Sequence, residues 1–159
     1  MGITVGDQAP DFTLKSKSGD DMNDISLSDY RDNKNVVILF FPLAYTGVCT
    51  DEMCSVSSGL ADYDALDAQV LGISVDSPFA QEAWAEKEGI TIPLLSDFNK
   101  EVSAAYGSQF EDLIGFKGVA KRSAFVVDKS GVVRFASVSD DPTELPDFDA
   151  IKACLQALS

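Results

Sequence analysis

The stretch Val36-Val37-Ile38-Leu39-Phe40-Phe41-Pro42-Leu43-Ala44-Tyr45-Thr46-Gly47-Val48-Cys49 (VVILFFPLAYTGVC) decides how this chain folds. From Asn35 to Phe41 it is apolar without alternation, which reads as a central strand buried on both faces. Pro42 cannot donate to a sheet ladder, so it ends the strand and sets the direction in which the chain leaves. Thr46 and Gly47 then supply a turn and a helix cap, and Cys49 falls in the first turn of the helix that follows. Unpaired backbone N–H groups and the positive end of the helix dipole favour a thiolate there. A small buried hydrophobe is the more common fate of a cysteine, and by itself Cys49 leaves the two readings level.

Working outward, Asp11 to Asp21 reads as a short N-terminal hairpin. Beyond Val48, residues Met53, Val56, Leu60, Tyr63 and Leu66 recur at spacings of three and four and predict one helix face. Gln69 to Val75 is a second buried strand. Ser77-Pro78 opens a helix through Trp84 that Gly89 stops. Pro93-Leu94-Leu95 is extended, and a small helix over Val102 to Tyr106 ends at Gly107. Ser123 to Asp128 and Val132 to Val138 flank Lys129-Ser130-Gly131 as a hairpin, and Asp147 to Leu158 is a closing amphipathic helix. This order describes one α/β domain over residues 1–159, a central mixed sheet flanked by helices in the thioredoxin-like arrangement with an N-terminal β-hairpin extension. Trp84 and the phenylalanines are expected in its core.

The composition removes several function classes. A net charge of -14 repels nucleic acid and anionic membranes, so neither is an expected partner. Clusters such as Asp20-Asp21 and Asp140-Asp141 lean towards an acidic, halophile-like surface that salt would stabilise. No stretch resembles a secretory signal, and the expected location is cytoplasmic. The chain has no histidine, which excludes Cys-His and Ser-His-Asp catalysis and any His-ligated metal. Neither a cofactor nor a metal is expected. The cysteines are Cys49, Cys54 and Cys154, an odd set that argues against a disulfide framework. Cys-x4-Cys is not the Cys-x-x-Cys of disulfide oxidoreductases. Cys154 sits among Ala153, Leu155 and Leu158 on the last helix and reads as structural.

Asp51 and Glu52 suit a helix start but oppose a thiolate at Cys49, so a cation from elsewhere is required. Arg122 is the best placed, because it directly precedes the strand Ser123 to Asp128; Arg134 and Lys121 are next in line. Standing alone, Arg122 would read as an exposed strand-end residue.

Pro42-x-x-x-Thr46-x-x-Cys49 resembles the signature of the peroxiredoxins. The likeness continues through Gly72–Val75 (GISV), Trp84-Ala85, Pro93–Phe98 (PLLSDF), Ala105–Gly107 (AYG), Arg122 and Phe125–Ala136 (FVVDKSGVVRFA). Within the family the chain looks most like the alkyl hydroperoxide reductase E type. The resemblance implies a thiol-dependent peroxidase acting on hydrogen peroxide and small organic hydroperoxides, regenerated by a thioredoxin-, glutaredoxin- or mycothiol-type thiol donor. It implies that Cys49 is the peroxidatic cysteine and that Thr46 hydrogen-bonds the peroxide. Pro42 would shield the sulfur, Arg122 would stabilise the thiolate and the developing charge, and Glu52 would orient Arg122. It also implies a homodimer built around Tyr45. The rival reading is a non-catalytic binding module or holdase that kept the fold. Cys54 departs from the one-cysteine pattern of many E-type members and resembles the resolving cysteine of some bacterioferritin-comigratory-type proteins. Five residues on an intact helix are a rise of roughly 7.5 Å and a turn of about 140°, whereas a disulfide needs Cα atoms within about 7 Å. A Cys49–Cys54 bond therefore requires the helix to unwind, and a packed helix cysteine is the equal alternative.

Overall fold

The computed structural model describes residues 2–158. In chain order its elements are β1 (Thr13–Ser18), β2 (Asp21–Ser26), a 3-10 turn (Leu27–Tyr30), β3 (Asn35–Phe40), α1 (Gly47–Ser58), α2 (Leu60–Ala65), β4 (Ala68–Ser74), α3 (Pro78–Glu88), β5 (Leu94–Ser96), α4 (Glu101–Ala105), β6 (Ser123–Val127), β7 (Val133–Val138) and α5 (Phe148–Leu158). The strands form one mixed sheet in the order β2-β1-β5-β4-β3-β6-β7. The apolar stretch is its middle: β3 runs parallel to β4 and antiparallel to β6, and all of its residues are buried. This is the expected thioredoxin-like arrangement, and the β1–β2 hairpin joins its edge through the antiparallel pairing of Lys15 with Ser96.

Two cores follow from the strand period of two. Val37, Leu39 and Phe41 face Met53 of α1, Trp84 of α3 and Ile151 of α5. Val36, Ile38 and Phe40 face the other way, onto Phe12, Val102 and Tyr106. The start of α3 is built as its sequence dictates, with Ser77 Oγ accepting the Ala80 N–H at 3.1 Å and Pro78 opening the helix. Gly89 closes it at a φ of 71°, a left-handed value that a side chain disfavours.

Two expectations need correction. The helix after Val48 does not run unbroken to Leu66. It stops at Gly59, whose N–H donates back to Ser55 and Val56, and a separate α2 follows. Glycine is about 1 kcal/mol poorer than alanine inside a helix, and the break lets Tyr63 reach the same core as Met53 and Val56. The phenylalanines also divide: Phe12, Phe40, Phe41 and Phe125 are core, whereas Phe79, Phe98 and Phe116 are exposed. No helix among the described residues is long and apolar enough to cross a membrane.

The seat of α1 depends on a missing side chain. A Cβ at Gly72 of β4 would lie 2.8 Å from Leu94 Cδ2 and 3.3 Å from Met53 Sδ. The glycine therefore lets Met53, one turn below Cys49, lie directly on the sheet. Gly72→Ala should destabilise the fold by about 1–3 kcal/mol through overpacking, read as a lower urea midpoint. An unchanged midpoint would show that Leu94 and Met53 give way freely.

Candidate active site

The loop that delivers Cys49 is tied down before the helix begins. The Phe41 N–H extends the ladder to Ile73 O at 3.0 Å, after which buried Pro42 ends it. The Ala44 N–H donates to Asp76 Oδ2 at 2.7 Å, and Ser74 Oγ donates to the same oxygen. Tyr45 adopts a φ of 67°, an unfavourable backbone for a bulky residue. Its ring lies 6.4 Å from that of Trp84, with Lys87 Nζ 6.0 Å from its centroid. Thr46 occupies the cap position of α1, and its carbonyl accepts the Thr50 N–H at 2.9 Å. Its side chain does not cap the helix: the hydroxyl donates to Leu43 O at 2.7 Å. One turn on, Trp84 Nε1 donates to Thr50 Oγ1 at 3.0 Å and fastens α1 to α3.

Arg122 reaches the sulfur. Its Nη2 donates to Cys49 Sγ at 2.9 Å, its Nη1 to Glu52 Oε1 at 2.7 Å and its Nε to the Pro142 carbonyl at 2.8 Å. Cys49, Glu52 and Arg122 are 1%, 0% and 2% exposed, so all three sit out of water. The strand-end arginine is thus neither exposed nor solvated. The other two cations are engaged elsewhere, Lys121 with Asp140 and Arg134 with Asp128. Pro142 O had no sequence signal, because a backbone carbonyl twenty residues away carries no side-chain signature. The same is true of the Asp76 anchor, whose partner is the backbone of Ala44.

The thiols are unpaired and separately held. Cys54 is half-buried and donates to the Glu88 carbonyl at 3.5 Å. Burial, then the nearby Glu88 and Asp51 charges, push its thiol up. Cys154 is half-buried against Arg134 O at 3.6 Å, and burial pushes it up as well. Among the described residues no group of three His, Cys, Asp or Glu side chains could hold a metal ion.

Glu52 is the titratable oddity. Burial raises its carboxyl to about 7, outweighing the charge and hydrogen bond of Arg122 that pull it down, and Oε2 has no hydrogen-bond partner among the described residues. Between about 4.5 and 7 the folded chain therefore holds a proton here that the unfolded chain has released. Stability from this proton is complete below about 4.5 and is lost as pH rises to about 7. Relative to Glu52→Gln, which cannot titrate, the wild type should lose on the order of 3 kcal/mol across that window. Denaturant unfolding of both proteins from pH 4.5 to 7.5 checks this. A constant difference would show that Glu52 stays ionised throughout.

Against known proteins, the AhpC/TSA family model matches residues 5–136. Alkyl hydroperoxide reductase E of Mycobacterium tuberculosis is 42% identical over 147 residues, 91% of each chain. Mouse peroxiredoxin-2 is 41% identical over 145 residues, 87% of this chain and 71% of that one. Among solved structures, Mycobacterium tuberculosis AhpC superposes with a TM-score of 0.84 at 30% identity, covering 99% of this chain and 94% of that chain. The reduced 2-Cys peroxiredoxin of Plasmodium vivax gives 0.86 at 28%, covering 96% and 80%. A buried cysteine in contact with an arginine, on a chain so related over nearly its whole length, places the protein in the AhpC/TSA family: it is a peroxiredoxin, a thiol peroxidase rather than a binding module that kept the fold.

Proposed function

We propose that Cys49 is the peroxidatic cysteine, acting with Thr46, Pro42 and Arg122, and that Glu52 orients the arginine. The observation that carries this reading is the 2.9 Å contact between Arg122 Nη2 and Cys49 Sγ in a site that water does not reach. The thiolate attacks the oxygen of ROOH that bears hydrogen. The S–O bond forms as the O–O bond breaks, its electron pair leaves on RO⁻, and sulfur is oxidised to the sulfenic state. A proton taken up from solvent completes ROH and leaves the sulfenic acid neutral. Arg122 faces both the attacking sulfur and the oxygen on which charge develops, a donor that needs no reorganisation during the reaction. The Thr46 hydroxyl donates its hydrogen bond to Leu43 O, so its oxygen is left to accept the O–H of the hydroperoxide. Pro42, buried and without an N–H, keeps water from the sulfur.

The substrates are hydrogen peroxide and small organic hydroperoxides, and a thiol donor of the thioredoxin, glutaredoxin or mycothiol type returns the electrons. The free thiols suit a reducing, cytoplasmic compartment. A homodimer through the surface around Tyr45 suits a ring that is 53% exposed on a loop otherwise tied down. Resolution falls to Cys54: its thiol condenses with the Cys49 sulfenic acid, forming the disulfide and releasing water. Both residues lie on α1, so the helix must unwind first, and leaving its packing also removes the burial that suppresses the Cys54 thiol.

Cys49→Ser should abolish peroxide consumption with dithiothreitol while the unfolding midpoint stays near that of the wild type; retained turnover would remove the reading. For the resolving step, peptide mapping after one equivalent of peroxide should find a Cys49–Cys54 disulfide. A lasting Cys49 sulfenic acid with Cys54 still alkylatable would make the protein a one-cysteine enzyme. A bond to Cys154 would transfer the resolving role to α5.

A further inference from the structure

We propose that the turn from Ser139 to Thr143 is a positioning element for the peroxidase reaction, setting the plane of the Arg122 guanidinium through the Pro142 carbonyl. The inference rests on the reading of Arg122 as the cation that serves Cys49.

A guanidinium is planar and carries its donors in a rigid fork. Contacts from Nη1 to Glu52 and from Nη2 to Cys49 fix one edge of the fork and leave the plane free to swing about that edge. The third bond, from Nε to Pro142 O at 2.8 Å, removes the swing. A carbonyl suits this position because it is neutral. A second carboxylate at Nε would compete with the thiolate for the same positive charge.

The turn is built to hold that carbonyl still. Its entry is pinned beside the arginine by the Ser139 N–H donating to Arg122 O at 3.0 Å. Asp141 Oδ1 then accepts from the Thr143 N–H at 2.9 Å and from Thr143 Oγ1 at 2.6 Å, which brackets Pro142 between two joined residues. Ser139 Oγ accepts the Asp141 N–H at 3.1 Å, and Glu144 donates its N–H to Asp141 O at 3.1 Å. Lys121, the neighbour of Arg122, pairs with Asp140 at 2.5 Å. The turn thus turns its carboxylates outward and a neutral carbonyl inward. Asp141 and Thr143 are exposed, and their side chains bond within the turn rather than to Cys49, Glu52 or Arg122, so their effect must pass through the backbone.

The test compares Asp141→Ala, which loses both bonds to Thr143, with Asp141→Asn, which keeps the accepting oxygen. Arg122→Lys runs beside them. The readouts are peroxide reduction, the pH profile of Cys49 alkylation, and the Arg122 Nε–H signal in proton–nitrogen NMR. Asp141→Ala should slow peroxide reduction at neutral pH by about fivefold, the scale of one weakened charge-assisted hydrogen bond. It should also move the alkylation profile to higher pH and shift the Nε–H signal, and Asp141→Asn should restore all three. If Asp141→Ala does not fold, Thr143→Val, which loses only the 2.6 Å bond, carries the same direction at smaller size. A wild-type profile and Nε–H signal in the folded variant, with Arg122→Lys displaced, would overturn the role of the turn and leave Arg122 in place. A flat response from Arg122→Lys as well would overturn both.

Discussion

A single buried arginine holds this site together. Arg122 lies between the Cys49 sulfur and the Glu52 carboxylate with almost no access to water. Removing such ions from water costs several kcal/mol each, and the mutual attraction offsets this only when the geometry is good and the remaining donors are satisfied. Here one oxygen of Glu52 is left without a partner, and the carboxyl is pushed to about 7. Burial therefore exceeds what the arginine returns. The cluster is a poor source of stability, and the same missing water that raises Glu52 leaves the Arg122–Cys49 interaction unscreened.

The rest of the fold can be read as what keeps this cluster assembled. Cys49 and Glu52 share the first turns of α1, so their spacing is set by one helix, and the helix is seated on the sheet where Gly72 has no side chain. Arg122 comes from the other side of β3, at the edge of β6, whose register with β3 is fixed by five paired residues. The two ends of the charge cluster thus hang from adjacent strands of one sheet. Arg122 cannot drift without disturbing the β3–β6 ladder, whereas Cys49 and Glu52 are held through the loop and the seat of α1. The loop in between is held by Asp76, and the strained backbone of Tyr45 shows how little freedom it keeps.

Most of this was legible in the sequence, for identifiable reasons. The run from Val36 to Phe41 has no polar alternation, so its central place could be read without knowing any neighbour. Ser77-Pro78 and Gly89 carry their helix signals in their side chains, and α3 begins and ends there. Cys49 and Arg122 could be matched because a charge argument demanded a cation and one arginine stood at a strand start. The misses have the opposite character. The break at Gly59 was hidden because apolar spacing continues across it, and only the packing of Tyr63 distinguishes two helices from one. The split among phenylalanines depends on which loops they occupy, as at Phe98 and Phe116. Pro142 and Ala44 contribute backbone atoms, and a backbone atom has no letter in the sequence.

The chemistry also bears on how the site comes apart. On the proposed reading, in which a Cys49 thiolate becomes a neutral sulfenic acid, oxidation itself weakens the attraction between Cys49 and Arg122. The Arg122–Glu52 ion pair still ties α1 down after oxidation, and the other fastenings near its start are modest: the Trp84–Thr50 bond, the Cys54–Glu88 contact and the packing of Met53. Each hydrogen bond of this kind is worth about 1 kcal/mol net, and helix starts lack backbone partners in any case. On that reading the arginine that activates Cys49 also restrains its turn of helix, and turnover loosens the Cys49 contact, though not the Glu52 one, at the moment the sulfur has to travel. On the proposed Cys54 route the loss of one negative charge favours unwinding, which must still break the Arg122–Glu52 pair or open the turn before Glu52 while that pair holds.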